Sequence, residues 1–169
     1  IIYVSSYYDR RVRKIRVSHG ACLRSLNAGS NYSYPQGLEI HNGHLYVTTR
    51  YGLYTYNISN GAGKMCPGKN SSQWRYTRAI AASGNYLYSY YNYRMYRGTL
   101  TTSGSNICPT TEKNYYNSSM SYGEGLAAHP SNPNELYFMS RGQNAIYKIT
   151  VNSSGTGHTQ NWKKGRYGY

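Results

Sequence analysis

A repeat of about 43 residues constrains this 169-residue chain more than any other feature. Tyr-rich apolar runs recur with spacings of 43, 42 and 49 residues, around Tyr3, Tyr46, Tyr88 and Tyr137. One cysteine follows each of the first three tyrosines after 19 or 20 residues, namely Cys22, Cys66 and Cys108. The segments "GLEI", "AIAA" and "GLAA", which begin at residues 37, 79 and 125, form a third series. Because the three series share one phase, the chain is predicted to repeat one structural unit four times.

Each repeat has the composition of β-strands. Its apolar runs are rich in Tyr, Val, Ile and Thr and are bounded by Gly, Asn, Ser and Pro, whereas no long segment keeps a helical period. One repeat reads as the strand "GLEI", the turn "HNGH", the strands "LYVTTR" and "LYTYNI", and a fourth strand near the cysteine. Four antiparallel strands in roughly 45 residues is the size of one propeller blade. The predicted fold is therefore an all-β propeller of about four blades, with repeat units near residues 1–36, 37–78, 79–124 and 125–169.

The two ends of the chain leave the blade count open. The chain begins in a second strand, "IIYVSS", while "NWKKGRYGY" at the other end resembles "SQWRYTRAIA", which leads into a first strand. Residues Gly165 to Tyr169 could therefore supply the missing first strand and close a ring of four blades without a free sheet edge. Alternatively, the chain is a four-repeat segment of a larger propeller. Both alternatives predict a single domain over residues 1–169.

Two long runs carry a family resemblance. The runs "YPQGLEIHNGHLYVTTRYGLYTYNISNGAG" and "YVSSYYDRRVRKIRVSHGACLRSLNAG" resemble the repeats of NHL-type and gluconolactonase-like β-propellers. In those repeats a "GL" strand precedes "G-x-LYV" and then a strand that ends in a polar turn. The resemblance covers nearly the whole chain and implies the architecture. It also implies, for the lactonases among these proteins, a divalent metal held at the central axis by Asp, Glu and Asn side chains.

The acidic residues do not predict such a metal site. A hard cation usually needs more than one carboxylate ligand, and the five acids are scattered, at Asp9, Glu39, Glu112, Glu124 and Glu135. Glu39 and Glu124 lie near first strands but differ in phase, and we interpret His41 and His129 as structural or solvated. The motifs G-x-S-x-G and H-E-x-x-H and a phosphate-binding loop are absent from the sequence. We therefore predict no catalytic residue, no metal and no cofactor, and a metal-dependent lactonase-type hydrolase is the least favoured alternative.

Charge and tyrosine content predict which surface of the chain binds partners. The net charge is +14, and 23 tyrosines accompany a single Phe. A basic surface attracts polyanions, although a solvated basic face without a partner has the same composition. In the basic run "RRVRKIR", Val12 and Ile15 lie three residues apart, which does not fit a regular alternating strand. The predicted partner surface consists of Arg10, Arg11, Arg13, Arg16, Tyr90, Tyr91, Tyr93, Arg94, Lys163, Lys164 and Arg166.

Two binding functions fit this surface. The first is a structural module that joins other protein subunits through Tyr-rich and basic contacts, including open contacts that generate filaments. The second is a lectin-like module that binds acidic polysaccharide by Tyr stacking and Arg or Lys pairing. Nucleic acid is not predicted, because the sequence has no motif for binding DNA or RNA.

Sequons and chain composition favour an extracellular location. Five N-glycosylation sequons occur, at Asn31, Asn57, Asn70, Asn117 and Asn152. The sequence begins with Ile, without an initiator Met or a signal peptide, as a mature secreted protein or an internal fragment would. No apolar run is long enough to insert into a membrane as a helix. We therefore expect a secreted glycoprotein.

The three cysteines do not have the spacing of a metal site. Equivalent positions of neighbouring blades should lie beyond disulfide reach, so the favoured interpretation is three small buried side chains. The alternative is an intermolecular disulfide from Cys22, Cys66 or Cys108. Because Pro follows Cys66 and Cys108, both positions are expected to end a strand.

Overall fold

The computed structural model describes residues 1–26, 34–69, 74–100, 108–116, 121–152 and 158–165. These residues form four antiparallel sheets and no helix. In every sheet the strands pair in chain order, so that each sheet is a simple up-and-down meander. The all-β fold and the four-blade count predicted from the repeat are confirmed.

The first two sheets lie in the first half of the chain. Sheet 1 contains β1 (Ile2–Ser6), β2 (Arg11–Ile15) and β3 (Cys22–Leu26). Sheet 2 contains β4 (Leu38–His41), β5 (His44–Thr48), β6 (Leu53–Asn57) and β7 (Gly63–Met65).

The other two sheets follow. Sheet 3 contains β8 (Ile80–Ser83), β9 (Tyr86–Tyr91), β10 (Arg94–Leu100) and β11 (Pro109–Tyr116). Sheet 4 contains β12 (Gly123–Ala128), β13 (Glu135–Ser140), β14 (Ala145–Val151) and β15 (His158–Gly165). Each predicted repeat unit therefore holds one sheet, except that β12 begins two residues before residue 125.

The chain divides into two compact units, Ile1–Thr77 and Arg78–Tyr169, with two sheets in each. In the first unit, the core contains the buried residues Val12, Leu26, Leu45, Val47, Tyr54 and Tyr56. In the second unit, a larger core contains Ala79, Tyr88, Tyr90, Met95, Leu136, Phe138, Ala145, Tyr147, Ile149 and Val151. The single domain over residues 1–169 stays a prediction.

Strand alternation explains how the second core is filled. Along β14 every second side chain is buried, beginning at Ala145 and ending at Val151, while Ile146 between them is exposed. Successive side chains of a strand point to opposite faces, so this pattern places one face of β14 against the core.

The turn between β4 and β5 is a regular hairpin turn, in which Asn42 and Gly43 have φ values of 46° and 73°. Asn-Gly in this conformation is typical of a two-residue hairpin, as "HNGH" predicts.

The basic run forms a continuous strand although its apolar residues do not alternate. β2 pairs with β1 over all five residues from Arg11 to Ile15, and Val12 is fully buried. Against β3, the register shifts between Lys14 and Ile15. The extra residue at this shift is Leu23 of β3, because Lys14 pairs with Arg24 and Ile15 pairs with Cys22. β2 itself is continuous, so Val12 and Ile15 lie on opposite faces of the sheet, where Val12 is buried and Ile15 is half-buried.

Gly165, the last described residue, lies in β15 and not in the additional first strand that residues Gly165 to Tyr169 could supply. Among the residues that the structure describes, sheet 1 has three strands and no strand that corresponds to a first strand, in agreement with the sequence. However, Gly165 belongs to β15 and pairs with Ala145 of the same sheet, so it does not start a new strand for sheet 1. Residues 166–169 lie outside the described part of the chain. A closed ring and a segment of a larger propeller both stay open predictions.

The cysteines differ from one another in chemical state. Cys66 and Cys108 are disulfide-bonded, whereas Cys22 is an exposed free thiol. The interpretation as three buried, unpaired side chains was therefore wrong, and Cys66 and Cys108 have no thiol left for an intermolecular disulfide. The three positions are not equivalent, since Cys66 follows β7, Cys108 precedes β11 and Cys22 begins β3. Pro after cysteine thus marks a strand's end at Cys66 but a strand's start at Cys108.

Candidate functional site

Four described tyrosines have a left-handed backbone conformation: Tyr93, with a φ of 62°, lies in the turn between β9 and β10, and the other three share one position in the repeat. Tyr34, Tyr76 and Tyr122 have φ values of 61°, 58° and 49°. Each stands four residues before the apolar residue that begins or continues a first strand, namely Leu38, Ile80 and Leu126. A bulky residue with positive φ is an outlier that costs about 1–3 kcal/mol and tends to occur at functional sites. The repeat therefore places a strained tyrosine before each of three blades.

In the first unit, two of these tyrosines alternate with three arginines in what we call the Tyr–Arg ladder (Arg10, Tyr34, Arg50, Tyr76 and Arg75). The Arg10 guanidinium carbon lies 5.0 Å from the Tyr34 ring centroid, and that of Arg50 lies 5.8 Å from the same ring. Arg10 Nη2 also donates a 3.1 Å hydrogen bond to the Tyr34 hydroxyl. Each guanidinium is thus held against an aromatic face.

The ladder continues from Arg50 to the second tyrosine. The Arg50 side chain hydrogen-bonds the Tyr76 hydroxyl. Arg75 covers the Tyr76 ring at 5.2 Å, and its Nη2 lies 3.3 Å from the Tyr76 hydroxyl. Arg75 Nε in turn donates a 2.9 Å hydrogen bond to the backbone oxygen of Arg50. Five side chains from four loop segments therefore form one continuous row.

Local backbone contacts fix where the ladder side chains stand. Arg50 follows Thr49, whose Oγ1 accepts hydrogen bonds from the amides of Tyr51 and Gly52 at 3.0 and 3.2 Å. Such a side-chain-capped turn is a common use of threonine between strands. The Tyr76 amide donates to the Thr49 oxygen at 3.2 Å, next to a backbone bridge between Thr49 and Arg75. The β5–β6 turn and the segment before β8 are thereby tied together.

The ladder carries positive charge, which also shifts the pKa of one of its tyrosines. The hydrogen bond from Arg50, and then the proximity of Arg75, lower the pKa of the Tyr76 hydroxyl below its ordinary value. Tyr76 correspondingly raises the pKa of Arg50. Among the described residues, no carboxylate pairs with a ladder arginine, because the nearby Asp9 is paired with Arg13 at 2.9 Å. The ladder is therefore a cationic row with unused N–H donors.

Further tyrosines extend the aromatic character of this surface. The Tyr7 ring centroid lies 4.6 Å from that of Tyr34 and 5.3 Å from that of Tyr8. Tyr8 is 88% exposed and Tyr51, beside Arg50, is 44% exposed. Exposed Tyr and Arg side chains are the residue types that most often dominate binding energy at protein interfaces.

The corresponding site of the second unit is neutralised. Tyr122 has the same left-handed backbone conformation as Tyr34. The backbone oxygen of Tyr122 accepts a 3.0 Å hydrogen bond from the Arg141 amide. Here a carboxylate is present: Glu124 pairs with Arg78 at 3.0 Å and with Arg141 at 3.6 Å. Among the described residues, the arginines beside the left-handed tyrosines have no carboxylate partner in the first unit but have one in the second unit.

The structure supports some of the predicted surface residues and corrects one of them. Arg10 is part of the ladder; Arg11, Arg16 and Arg94 are exposed, and Arg13 is half-buried against Asp9. Tyr90 is only 4% exposed and packs on Phe138 at 4.5 Å, so its assignment to the surface was wrong. The reason is the alternation of β9, which turns Tyr90 inward. Tyr91 and Tyr93 are half-buried, and the side chains of Lys163, Lys164 and Arg166 lie outside the described residues.

Two of the five sequons can be placed. Asn152 follows β14 and is exposed, while Asn57 ends β6 and is half-buried. The Asn57 Oδ1 atom accepts a 2.9 Å hydrogen bond from the Ser59 amide, as in a tight Asx turn. Asn31, Asn70 and Asn117 lie outside the described residues. Glycosylation stays a prediction.

The residues considered as metal ligands each have a different structural role. Glu39 lies half-buried in β4 and, with Tyr3 and Leu45, lines an open hollow of about 360 Å³ in the first unit. Glu124 is engaged by two arginines, as described above. His129 Nδ1 accepts hydrogen bonds from the amides of Ser131 and Asn132 at 3.2 and 3.1 Å, which orders the turn before β13. Within the described residues, no three His, Cys, Asp or Glu side chains are grouped so as to hold a metal ion.

The described part of the chain contains no helix that is long and apolar enough to cross a membrane.

The fold resembles several solved structures. No protein-family model matches the chain, and no curated protein matches it in sequence. A Bacteroides uniformis protein assigned as a 6-phosphogluconolactonase superposes with a TM-score of 0.69 at 12% identity, over 96% of this chain and 51% of its own. A chain of the nidogen/laminin complex gives a TM-score of 0.64 at 11% identity, over 91% of this chain and 59% of its own.

A third structure is closer in size to this chain. The hemopexin-fold protein CP4 from cow pea gives a TM-score of 0.51 at 11% identity, over 96% of this chain and 87% of its own. The chain therefore spans about half the length of the first two structures and most of the third. At these identities the likeness concerns the fold alone. Four meander sheets together with these neighbours show that the chain has a β-propeller fold.

Proposed function

We propose that this chain is a non-catalytic interaction module that acts outside the cell and joins other protein subunits through the Tyr–Arg ladder and the tyrosines beside it. The observation that carries the proposal is the ladder itself. It combines half-buried and exposed tyrosine rings, guanidinium groups that contact them, and positive charge that no described carboxylate neutralises. This composition is typical of the centre of a protein interface.

The fold is compatible with such a role. The solved structures that resemble the chain include both a protein assigned as a lactonase and a chain of a protein–protein complex. We favour binding over catalysis because the carboxylates with described partners form ion pairs with basic side chains. Asp9 pairs with Arg13, Glu124 with Arg78, and Glu135 with Lys148 at 2.9 Å.

Secretion and glycosylation belong to the same proposal. The exposed Asn152 sequon supports it, because a glycan needs an accessible asparagine. In this proposal the glycans keep other surfaces clear of contacts while the ladder remains open. An increase in mass that enzymatic deglycosylation removes, measured on the natural protein, is the expected result for this part.

Photo-oxidative coupling of tyrosines in the natural extracellular material tests the proposal. Tyr8 and Tyr51 adjoin the ladder, while Tyr122, which is 67% exposed in the second unit, is a matched control. We expect dityrosine links to other protein chains at Tyr8 and Tyr51, and fewer at Tyr122. Equal coupling at all three tyrosines, or no link to a second chain, would overturn the proposal.

A further inference from the structure

We infer that the Tyr–Arg ladder binds an extended acidic peptide segment, whose Asp or Glu carboxylates pair with the guanidinium groups of Arg10, Arg50 and Arg75. This inference rests on the proposed function and names the chemistry of the partner. It concerns the first unit only.

The charge of the ladder favours an anionic ligand. Three guanidinium groups stand in one row, and no described carboxylate pairs with any of them. At the matching position of the second unit, Glu124 already supplies the carboxylate for Arg78 and Arg141. In the second unit a carboxylate therefore pairs with arginines beside the left-handed tyrosine, whereas the described residues of the first unit place none on the ladder.

The geometry favours a carboxylate over a sugar ring. Stacking of a sugar needs a free aromatic face, but the Tyr34 ring is contacted by Arg10 at 5.0 Å, by Arg50 at 5.8 Å and by the Tyr7 ring at 4.6 Å. Arg10 and Arg50 are exposed and Arg75 is half-buried, and each guanidinium has five N–H donors, of which the contacts described above use one or two. The planar guanidinium fork matches the two oxygens of a carboxylate.

The spacing favours an extended ligand over a single anion. Arg10 and Arg50 both contact the Tyr34 ring, and Arg50 and Arg75 both contact Tyr76. In an extended peptide, side chains two residues apart point to the same side at intervals of roughly 7 Å. Carboxylates at alternate positions can therefore meet successive guanidinium groups along the row.

The ladder is ordered before any ligand arrives. Arg10, Tyr34 and Tyr76 hold left-handed backbone conformations, and every ladder side chain contacts its neighbour. Fixing an arginine in advance reduces the conformational entropy that binding would otherwise lose. This is the reason to expect a specific site here and a weaker, diffuse attraction elsewhere on a basic protein.

Fluorescence anisotropy with a short labelled Glu-rich peptide tests the inference on the whole chain. The variant Arg10→Gln/Arg50→Gln/Arg75→Gln should weaken binding by about tenfold or more. The control variant Arg16→Gln/Arg24→Gln/Arg94→Gln removes the same charge outside the ladder and should weaken it by less than about threefold. Circular dichroism of both variants establishes that the sheets are retained.

Several outcomes would overturn the inference. Equal weakening in both triple variants would show that only net charge attracts the peptide. A sulfated oligosaccharide that binds at the ladder more tightly than the peptide would assign the site to acidic glycans. Absence of peptide binding, with coupling of Tyr8 and Tyr51 to partner proteins still observed, would refute the acidic peptide and leave the proposed function standing.

Discussion

Tyr46 and Tyr88 occupy the same position in two repeats and are both fully buried, yet only the Tyr88 hydroxyl has an identified acceptor. Tyr88 donates a 3.2 Å hydrogen bond to the Pro133 oxygen. The buried Tyr46 hydroxyl has no hydrogen-bond partner among the described residues. The repeat thus reproduces the ring at each position but not the partner of its polar end.

This difference predicts opposite responses to the same substitution. Tyr88→Phe should lower the free energy of unfolding by about 1 kcal/mol, because it leaves the Pro133 oxygen without its donor. Tyr46→Phe should change it by less than about 0.5 kcal/mol or raise it, since an unpaired buried hydroxyl contributes nothing favourable. Denaturant unfolding of the two variants measures both values. A larger loss for Tyr46→Phe than for Tyr88→Phe would contradict the assignment.

The same two tyrosines should make the protein sensitive to alkaline pH. Burial raises the pKa of Tyr46 and of Tyr88 to about 12 in the folded protein, from an ordinary value near 10. Because burial disfavours the phenolate, stability is complete below the unfolded pKa and falls as the pH rises from about 10 towards 12. The double variant Tyr46→Phe/Tyr88→Phe should lose part of this dependence, whereas Tyr122→Phe should retain it. Free energies of unfolding measured between neutral pH and pH 12 test this prediction.

Two glycines of β12 should differ sharply in their tolerance of a side chain. A Cβ atom at Gly123 would lie 2.3 Å from Tyr90 and 2.6 Å from Phe138, whereas at Gly125 its nearest contact is Met139 at 3.4 Å. Gly123→Ala should therefore cost about 1–3 kcal/mol through overpacking of the core. Gly125→Ala is the matched control and should cost less than about 1 kcal/mol. Similar unfolding midpoints for the two variants would show that the core next to Gly123 adapts.

Removing one carboxylate should open the neutralised site of the second unit. Glu124→Gln leaves Arg78 and Arg141 without their shared acceptor beside the left-handed Tyr122. We expect calorimetric titration with the Glu-rich peptide to show a second, weaker binding event that the unmodified protein lacks. The matched variant Glu135→Gln changes the net charge equally, away from Tyr122, and should show one event only. A second event in both variants would indicate a general effect of charge.

Several elements could be predicted from the sequence because they depend on local or periodic information. The tyrosine, cysteine and "GL" series share one phase, so the number and order of the sheets follow from the repeat. The "HNGH" hairpin follows from the ability of Asn42 and Gly43 to adopt positive φ. Strand alternation also explains the burial of Tyr90, which lies two residues after the buried Tyr88 in β9. The predicted partner surface instead included Tyr90 together with the neighbouring tyrosines.

The ladder and the cysteine states could not be predicted in this way. Arg10, Arg50 and Arg75 lie in different repeats or loops, and nothing in their local sequences distinguishes them from Arg78, which Glu124 neutralises. Three of the four left-handed tyrosines do leave a faint sequence signal, namely a Tyr four residues before Leu38, Ile80 and Leu126. A search of the repeats for that position would have found Tyr34 and Tyr76.

The sequence by itself determined the repeated strands, the turns and the basic, Tyr-rich character of the chain, because these depend on composition and on neighbours a few residues away. Only the tertiary structure decided which arginines meet tyrosine rings, which ones meet a carboxylate, and which tyrosine hydroxyls are paired. Those outcomes depend on loops distant in sequence that the sheets bring together. Hydrogen bonds and ion pairs act over a few ångströms, so a repeat can reproduce a side chain's position without reproducing its partner.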